Sequence, residues 1–293
     1  MSRKSRNCRN PPRSGDAQQR PRERSGSGMS TTPLQVLPGA EPLYSVGSRI
    51  GVLVSHGFTG SPQSMRFLAE GFARAGYTVA TPRLTGHGTT PAEMAASTAS
   101  DWTADIVAAM RWLEERCDVL FMTGLSMGGA LTVWAAGQFP ERFAGIMPIN
   151  AALRMESPDL AALAFNPDAP AELPGIGSDI KAEGVKELAY PVTPVPAIKH
   201  LITIGAVAEM LLPRVKCPAL IIQSREDHVV PPHNGELIYN GIGSTEKELL
   251  WLENSYHVAT LDNDKELILE RSLAFIRKHS KLAAALEHHH HHH

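Results

Sequence analysis

Short apolar runs alternate with amphipathic segments along most of the chain. Six runs have the length and composition of buried strands, at residues 50–55, 77–80, 119–122, 143–149, 217–223 and 247–252. Between several of them, apolar residues recur every three or four positions, which is typical of helices that cover a sheet. Strands that alternate with helices predict an α/β fold, with a mainly parallel sheet covered by helices on both faces.

Three helices are recognisable from their apolar faces and their ends. Ser61 and Pro62 begin the first, which should stop near Gly76, and Asp101 can cap the second. A third helix closes the fold at residues 266–278. The residues expected to face the core are Met65, Leu68, Phe72, Trp102, Ile106, Met110, Leu113, Leu269, Leu273 and Ile276.

Residues 151–212 break this rhythm. They contain seven prolines and no clear strand–helix unit, and they end in an apolar helical stretch at 198–212. A segment of this length is too long for a plain loop, so we expect a small cap insertion over the carboxyl ends of the strands, where α/β proteins bind ligands. Residues 29–150 and 213–280 should then form the core domain.

Composition adds limits to this picture. Of the 293 residues, 43% are apolar and 20% charged, which fits a soluble globular protein, and no apolar run approaches the roughly 20 residues needed to cross a bilayer. Residues 1–28 carry eight basic and two acidic residues and almost no large apolar ones, so we expect a disordered basic extension. The rest of the chain has a net charge of −8, which argues against nucleic acid as a partner.

Two further features exclude some kinds of site. Residues 281–293 end in six histidines and read as a purification tag, so these histidines are set aside. The cysteines, Cys8, Cys117 and Cys217, are too few and too scattered for a disulfide framework or a metal site. We therefore expect no metal and no cofactor.

The pentapeptide Gly124-Leu-Ser126-Met-Gly128 lies between a predicted strand and an apolar, alanine-rich helical segment. This is the G-x-S-x-G pattern in the strand-to-helix context of a nucleophile elbow. A serine in so sharp a turn has strained backbone angles, and the residues two before and two after it have no room for a Cβ atom. Ser126 is therefore the candidate nucleophile, and a glycine-rich turn without chemistry is the alternative.

A serine nucleophile needs a base, and the base needs a group that orients it. His257 follows the strand at 247–252 after a short loop, which should place it at the carboxyl edge beside Ser126. A structural core histidine is the alternative for this residue. Asp227 follows the strand at 217–223 and precedes an apolar turn, so it is the candidate acid, with Glu226 as the alternative.

Backbone amides should hold the negative charge that develops during acyl transfer. Met127 begins the helix after the nucleophile, and Phe58 follows Gly57 in the loop after the strand at 50–55. We expect the Phe58 and Met127 amides to form an oxyanion hole. His56 is interpreted as a brace for this loop rather than a base, and His87 as a structural residue at the rim.

These residues resemble the α/β-hydrolase superfamily, and within it the small bacterial monoacylglycerol lipases and carboxylesterases. The resemblance runs from about Gly39 to Ser280. The stretches that carry it are His56-Gly-Phe-Thr-Gly60, Pro82-Arg-Leu-Thr-Gly-His-Gly88, Gly124-Leu-Ser-Met-Gly-Gly129, Pro148-Ile-Asn150, Lys186-Glu-Leu-Ala-Tyr190, Glu226-Asp-His-Val-Val-Pro-Pro232 and Asn254-Ser-Tyr-His-Val-Ala-Thr-Leu-Asp262. It implies the α/β-hydrolase fold, the same three catalytic residues and the same two amides.

The resemblance also implies roles for two cap residues. Glu187 would hydrogen-bond the glycerol hydroxyls, with a solvated cap carboxylate as the alternative, and Ile176 would help to shape the pocket. The expected activity is hydrolysis of monoacylglycerols and of short to medium acyl esters, without a cofactor. A general carboxylesterase, an acyltransferase or peptidase of the same fold, and an inactive ligand-binding module are the alternatives.

The expected partners are a small lipid ester and, transiently, a membrane or micelle surface. Residues 1–28 lack the apolar stretch of a secretory signal, and we expect a cytoplasmic protein. We also expect a monomer or a homodimer.

Overall fold

The computed structural model describes residues 20, 21, 23 and 34–291. The strands are β1 (Leu43–Ser45), β2 (Ile50–Ser55), β3 (Thr78–Thr81), β4 (Val119–Leu125), β5 (Gly145–Ile149), β6 (Glu172–Pro174), β7 (Val192–Pro194), β8 (Ala219–Ser224) and β9 (Lys247–Leu252). The α-helices are α1 (Arg66–Arg74), α2 (Pro91–Ala96), α3 (Ala99–Glu114), α4 (Met127–Gln138), α5 (Pro158–Ala164), α6 (Val195–Leu211), α7 (Asn234–Gly241) and α8 (Lys265–His291). Short 3₁₀ helices lie at Pro62–Met65, Leu212–Arg214 and Ala259–Leu261.

The main sheet has the strand order β1-β3-β2-β4-β5-β8-β9 in the described part of the chain. Only β1 is antiparallel to its neighbour there, so the predicted mainly parallel sheet is confirmed. In the register of β2 and β4, Ser55 lies beside Gly124. The loop after β2 and the turn after β4 therefore leave the sheet side by side.

The apolar core lies on both faces of this sheet. Val52 and Val54 belong to one cluster of buried residues, and Leu53 between them belongs to the other. Successive side chains of a strand point to opposite faces, so the alternation separates the two clusters. One face is covered by α3 and α4 and the other by α1 and α8, which explains why the strands are apolar at nearly every position.

Two of the helix boundaries that depart from the sequence predictions are the start of α3 and the end of α8. Thr98, not Asp101, is the N-cap of α3, and the two residues form a capping box in which each side chain binds the other's backbone amide. The closing helix runs well past the predicted end at residue 278, to His291. The residues that follow 278 include Leu282-Ala-Ala-Ala-Leu286, which are strong helix formers.

The segment predicted to form a cap lies between β5 and β8. It consists of α5, the antiparallel pair β6–β7 and α6, which packs closely on α4. A Cβ atom at Gly205 of α6 would lie 2.3 Å from the Leu153 carbonyl oxygen, so this helix cannot be lifted away without losing a tight contact.

Residues 195–214, where the sequence suggested no spanning segment, are long and apolar enough to cross a membrane by length and composition alone. In the structure 44% of that apolar window is buried. Val195, Ala197, Ile198 and Leu201 are buried along one side of α6. The buried side of α6 packs against α4.

Part of the predicted basic extension is described. Glu23 forms an ion pair with Arg83, whose guanidinium is buried and also donates to the His87 carbonyl at 2.7 Å. The predicted disorder of the other residues of 1–28 falls outside the described residues. The start of the predicted core domain at residues 29–33 and residues 292 and 293 of the predicted tag also fall outside them.

Candidate active site

Ser126 lies in the turn between β4 and α4, at φ 61° and ψ −117°. A positive φ at a residue with a Cβ atom costs of order 1–3 kcal/mol, so neighbouring contacts must maintain it. The Ser126 amide donates to the Ile149 carbonyl at 3.0 Å, and the Ser126 carbonyl accepts from Ala152 and Ala130, both at 3.0 Å. The end of β5 and the first turn of α4 thus hold the serine in this conformation.

The glycines two residues on either side of Ser126 are required by space. A Cβ atom at Gly124 would lie 2.2 Å from the carbonyl oxygen of Gly128. One at Gly128 would lie 2.3 Å from the carbonyl oxygen of Ser55 and 2.6 Å from that of His56. Contacts this short involve only backbone atoms, which cannot move aside, so the turn admits no side chain at either position.

His257 and Asp227 are hydrogen-bonded, with 2.7 Å between Nδ1 of the imidazole and Oδ2 of the carboxylate. The other oxygen of Asp227 accepts the amides of Val229 and Val230, both at 2.8 Å, in the apolar turn that follows. The Asp227 side chain is fully buried. Glu226 instead is 64% exposed and approaches Nε2 of His228 at 3.3 Å, away from the His257 ring.

Ser126 and His257 line one cavity of about 420 Å³ beneath the cap. The structure therefore brings the candidate nucleophile, the candidate base and, through the base, the candidate acid to one site at the carboxyl edge of the sheet. These three residues come from the ends of β4, β8 and β9, as parallel strand ends at one edge should provide.

The backbone of His257 is fixed by Asn150, a residue that the sequence analysis did not assign to the site. Asn150 follows β5 at φ 44° and is fully buried. Its amide nitrogen donates to the His257 carbonyl at 2.8 Å, and its oxygen accepts the Ser224 amide at 2.7 Å. A polar residue directly after a buried strand was the available signal, since such positions lie at the ligand-binding edge.

The loop after β2 lies directly against the elbow. A Cβ atom at Gly57 would lie 2.7 Å from the Leu125 carbonyl oxygen and 3.5 Å from the Met127 amide nitrogen. Met127 is the first residue of α4, so its amide has no helical partner. Phe58 follows Gly57 and lines the cavity with Ser126. The two candidate oxyanion-hole residues therefore belong to segments that touch each other at the cavity.

His56 braces this loop through both ring nitrogens. Nδ1 lies 2.9 Å from the Gly57 carbonyl, and Nε2 accepts the Leu84 amide at 3.0 Å, so the proton is on Nδ1. Complete burial, together with the neighbouring ring of His87, holds the pKa of His56 well below its usual value. A neutral imidazole with both nitrogens occupied cannot serve as a base.

His87 is buried rather than at the rim. Its ring lies beside those of Trp102 and Phe58, with centroid distances of 5.5 and 6.4 Å, and Nδ1 is 3.1 Å from the Thr85 carbonyl. Burial lowers the pKa of His87 to about 4. The His87 ring therefore packs against Phe58 in the loop after β2.

The two cap residues suggested by the resemblance both line the cavity. The carboxylate of Glu187 faces the β2 loop, because a Cβ atom at Gly60 would lie 3.2 Å from Glu187 Oε2. Burial raises the pKa of this carboxylate, while the nearby His257 opposes the shift. Ile176 is 76% exposed and therefore lies at the opening of the cavity.

The pKa of His257 reflects opposing effects. Burial lowers it, but the charge of Asp227, the hydrogen bond to Asp227, and the charges of Glu187 and Asp179 together raise it above the ordinary 6.5. A buried imidazole surrounded by carboxylates is suited to accept a proton from a neighbouring hydroxyl and to carry the resulting charge. Among the described residues, no group of three or more His, Cys, Asp or Glu side chains is arranged to hold a metal ion.

Comparisons with known proteins identify the family of the chain. A model of the alpha/beta hydrolase family matches residues 52–270. The chain is 51% identical over 249 residues to the thermostable monoacylglycerol lipase of Bacillus sp. (strain H-257), which covers 84% of this chain and 97% of that protein. It is 27% identical over 242 residues to a carboxylesterase of Bacillus subtilis (strain 168), covering 81% of this chain and 96% of the relative.

The fold is shared with solved structures of lower sequence identity. The crystal structure of Paleococcus ferrophilus monoacylglycerol lipase has a TM-score of 0.68 at 18% identity, covering 78% of this chain and 94% of that one. This likeness concerns the fold alone, and with the family match it confirms the predicted α/β-hydrolase architecture. The chain belongs to the alpha/beta hydrolase family.

Proposed function

We propose that the protein is a cofactor-independent serine hydrolase that cleaves monoacylglycerols, and other short to medium acyl esters, to a fatty acid and an alcohol. The proposal is carried by the 2.7 Å hydrogen bond between His257 and Asp227 at a cavity that also contains the serine of the elbow. The 51% identity to a monoacylglycerol lipase supports the choice of substrate.

The proposed reaction has two halves. Ser126 attacks the ester carbonyl as Nε2 of His257 removes its proton, and the Phe58 and Met127 amides hold the oxyanion of the tetrahedral intermediate. His257 then protonates the leaving glycerol oxygen, which leaves an acyl-enzyme. Water, deprotonated by His257, attacks that acyl group, and the protonated His257 returns the proton to Oγ of Ser126 as the bond from the acyl carbon to Oγ breaks and the fatty acid is released. Asp227 keeps the imidazole in the required tautomer and stabilises its charged form.

The lining of the cavity suits an amphiphilic ester. Apolar side chains of the cap and the neighbouring loops form one part of the wall, and they are Met155, Leu160, Ile198, Leu201 and Val229. Glu187 contributes a carboxylate to the same cavity. An apolar wall accepts an acyl chain, and a carboxylate that accepts hydrogen bonds suits a glycerol moiety.

The activity should decrease as the pH is lowered, with an apparent pKa above 6.5, which is the ordinary value for histidine. Only the neutral form of His257 can accept the serine proton, so catalysis is lost as the pH drops through its raised pKa. The measurement is kcat/KM for a p-nitrophenyl ester against pH. Glu187→Gln should move this acid limb to lower pH, because the Glu187 charge is one of those that raise the pKa of His257. An inflection below the ordinary value would contradict the proposed role of His257.

Glu187→Gln should also distinguish glycerol esters from simple esters. Loss of a charged hydrogen-bond acceptor should raise KM for a monoacylglycerol by about tenfold, while KM for a p-nitrophenyl ester of the same acyl chain should stay nearly constant. Glu183→Gln, which removes a carboxylate from an exposed position of the same cap segment, is the matched control. Equal effects on both substrates would make Glu187 a structural residue of the cap.

A general carboxylesterase is the second candidate, and the 27% identity to the Bacillus subtilis carboxylesterase favours it. Hydrolysis rates for mono-, di- and triacylglycerols across a series of chain lengths separate the two. Product analysis in the presence of a competing alcohol detects an acyltransferase. A fluorophosphonate probe labels the serine of an active hydrolase and leaves an inactive binding module unlabelled.

The cap supports a transient contact with a lipid surface. Phe165 and Ile176 are large apolar residues of the cap, 78% and 76% exposed, and Ile176 also lines the cavity. A micelle or membrane that covers these side chains would deliver its lipid directly to the opening. Binding to vesicles by the chain without residues 1–28 tests the cap separately from the basic extension.

We further propose a cytoplasmic location. Cys217 is a free, buried cysteine, and burial raises the pKa of its thiol to about 12, so it persists in its unreactive form. Free thiols are usual in reducing compartments. Size-exclusion chromatography decides between a monomer and a homodimer.

A further inference from the structure

The carboxylate of Asp179, in the cap, contacts the loop that carries Asp227 and the loop that carries His257. Its Oδ2 accepts the His257 amide at 3.1 Å and the His228 amide at 3.0 Å, and its Oδ1 is 2.7 Å from Nδ1 of His228. The carbonyl oxygen of Asp179 accepts the Val258 amide at 3.1 Å. A single residue of the cap thereby joins the loop after β8 to the loop after β9.

A second carboxylate fixes the chain just beyond Asp179. Asp262, which is buried after β9, accepts the amides of Lys181 at 2.7 Å and Ala182 at 3.0 Å. It also accepts the Tyr256 amide at 2.9 Å, next to His257. Residues 179–182 are therefore attached to the His257 loop at both ends, which leaves Asp179 little freedom to swing away.

We propose that Asp179 is a positioning residue, which orients His257 through its backbone amide and so makes the cap segment part of the catalytic apparatus. This inference rests on the proposed function. With Asp179 in place, His257 is held at three points: its amide by Asp179, its carbonyl by Asn150 and its ring by Asp227. Because Asp227 belongs to the same loop as His228, Asp179 also sets the separation of the acid loop from the histidine loop.

Loss of this contact has a mechanical and an electrostatic consequence. The His257 loop would be free to shift, and a misplacement of about 1 Å can cost a reaction on the order of 100-fold. The charge of Asp179 is also among those that raise the pKa of His257. Removing it should lower that pKa, so the neutral base would persist to lower pH.

Among the described residues, few charged groups lie near His257 and Asp179. Asp227, Glu187 and Asp179 face His257, and His228 faces Asp179. The hydrogen bond to Asp179 is the main cause that raises the pKa of His228, and Glu226 and Asp227 raise it further. The pKa values of both His228 and His257 are raised, so the acid limb must be read in each variant against the wild-type protein.

The test compares Asp179→Ala and Asp179→Asn with the control Glu183→Gln, which removes an exposed carboxylate from the same segment. For Asp179→Ala we expect kcat for a p-nitrophenyl ester to fall roughly 10- to 100-fold with little change in KM. Asparagine keeps an acceptor oxygen for the His257 amide, so Asp179→Asn should recover much of kcat. Both variants should move the acid limb of kcat/KM to lower pH, and the control should do neither.

The outcomes separate a positioning role from others. Wild-type kcat and acid limb in Asp179→Ala would overturn the inference. A second outcome would also overturn it: both variants have a lower kcat and a lower melting temperature, but the acid limb of kcat/KM stays at its wild-type pH. In that case Asp179 stabilises the fold without positioning His257. A wild-type protein that neither hydrolyses esters nor reacts with a fluorophosphonate would instead remove the proposed function itself.

Discussion

Replacing Ser126 with alanine should lower kcat for ester hydrolysis by about a million-fold, the magnitude known for loss of the nucleophile in serine hydrolases. Alanine retains the Cβ atom, and the backbone bonds of residue 126 to Ile149 and Ala152 do not involve the side chain. The fold should therefore persist. Turnover of a p-nitrophenyl ester and of a monoacylglycerol, with labelling by a fluorophosphonate, measures the effect.

The control for this substitution is a serine outside the cavity. Ser100→Ala changes an exposed residue of α3 and should leave both turnover and labelling at the wild-type level. Thermal unfolding of the two variants should coincide with that of the wild type to within a few degrees. Undiminished hydrolysis by Ser126→Ala would refute the assignment of the nucleophile.

Asp227→Asn should reduce kcat by roughly 10⁴-fold, because an amide that donates to Nδ1 of His257 selects the wrong imidazole tautomer. The substitution is nearly isosteric, and the asparagine oxygen can still accept the amides of Val229 and Val230, which Asp227 Oδ1 accepts in the structure. The loss should therefore appear in kcat rather than in stability. Steady-state kinetics together with thermal unfolding separates the two.

Glu226 supplies a matched comparison, since it precedes Asp227 in the chain and is also a carboxylate. Its side chain is 64% exposed and lies near His228 rather than near the His257 ring. Glu226→Gln should change kcat by no more than a few-fold. If Glu226→Gln were the inactive variant and Asp227→Asn the active one, the roles of the two carboxylates would have to be exchanged.

The regular core was largely predictable because its signals are local. The limits of β2 and β9 coincide with the predicted strands, since each is a short segment rich in apolar residues with polar residues on either side. The short antiparallel strand β1 and the pair β6–β7 were not predicted. Each has only three residues, which carry no detectable period, and their pairing is decided by distant partners.

The candidate site also contains some residues that the sequence predicts and others that it does not. The elbow around Ser126 is specified locally, because glycine spacing and strand-to-helix context are written in adjacent residues. Asp227 was preferred to Glu226 from its position before an apolar turn, and the structure places Asp227, not Glu226, at the His257 ring. Asp179 could not be found in this way, because it lies in a cap segment without periodicity and its partners are 49 and 78 residues distant in the chain.

The sequence alone predicts the alternation of strands and helices, the strained turn at Ser126 and the chain order of serine, acid and histidine. These depend on residue types within a few positions of each other. Only the tertiary structure decides that Asn150 binds the His257 carbonyl and that Asp179 binds the His257 amide. It also decides that Glu187 lines the cavity. The physical reason is that hydrogen bonds between distant segments depend on how the chain is packed, and no local pattern of residues records that packing.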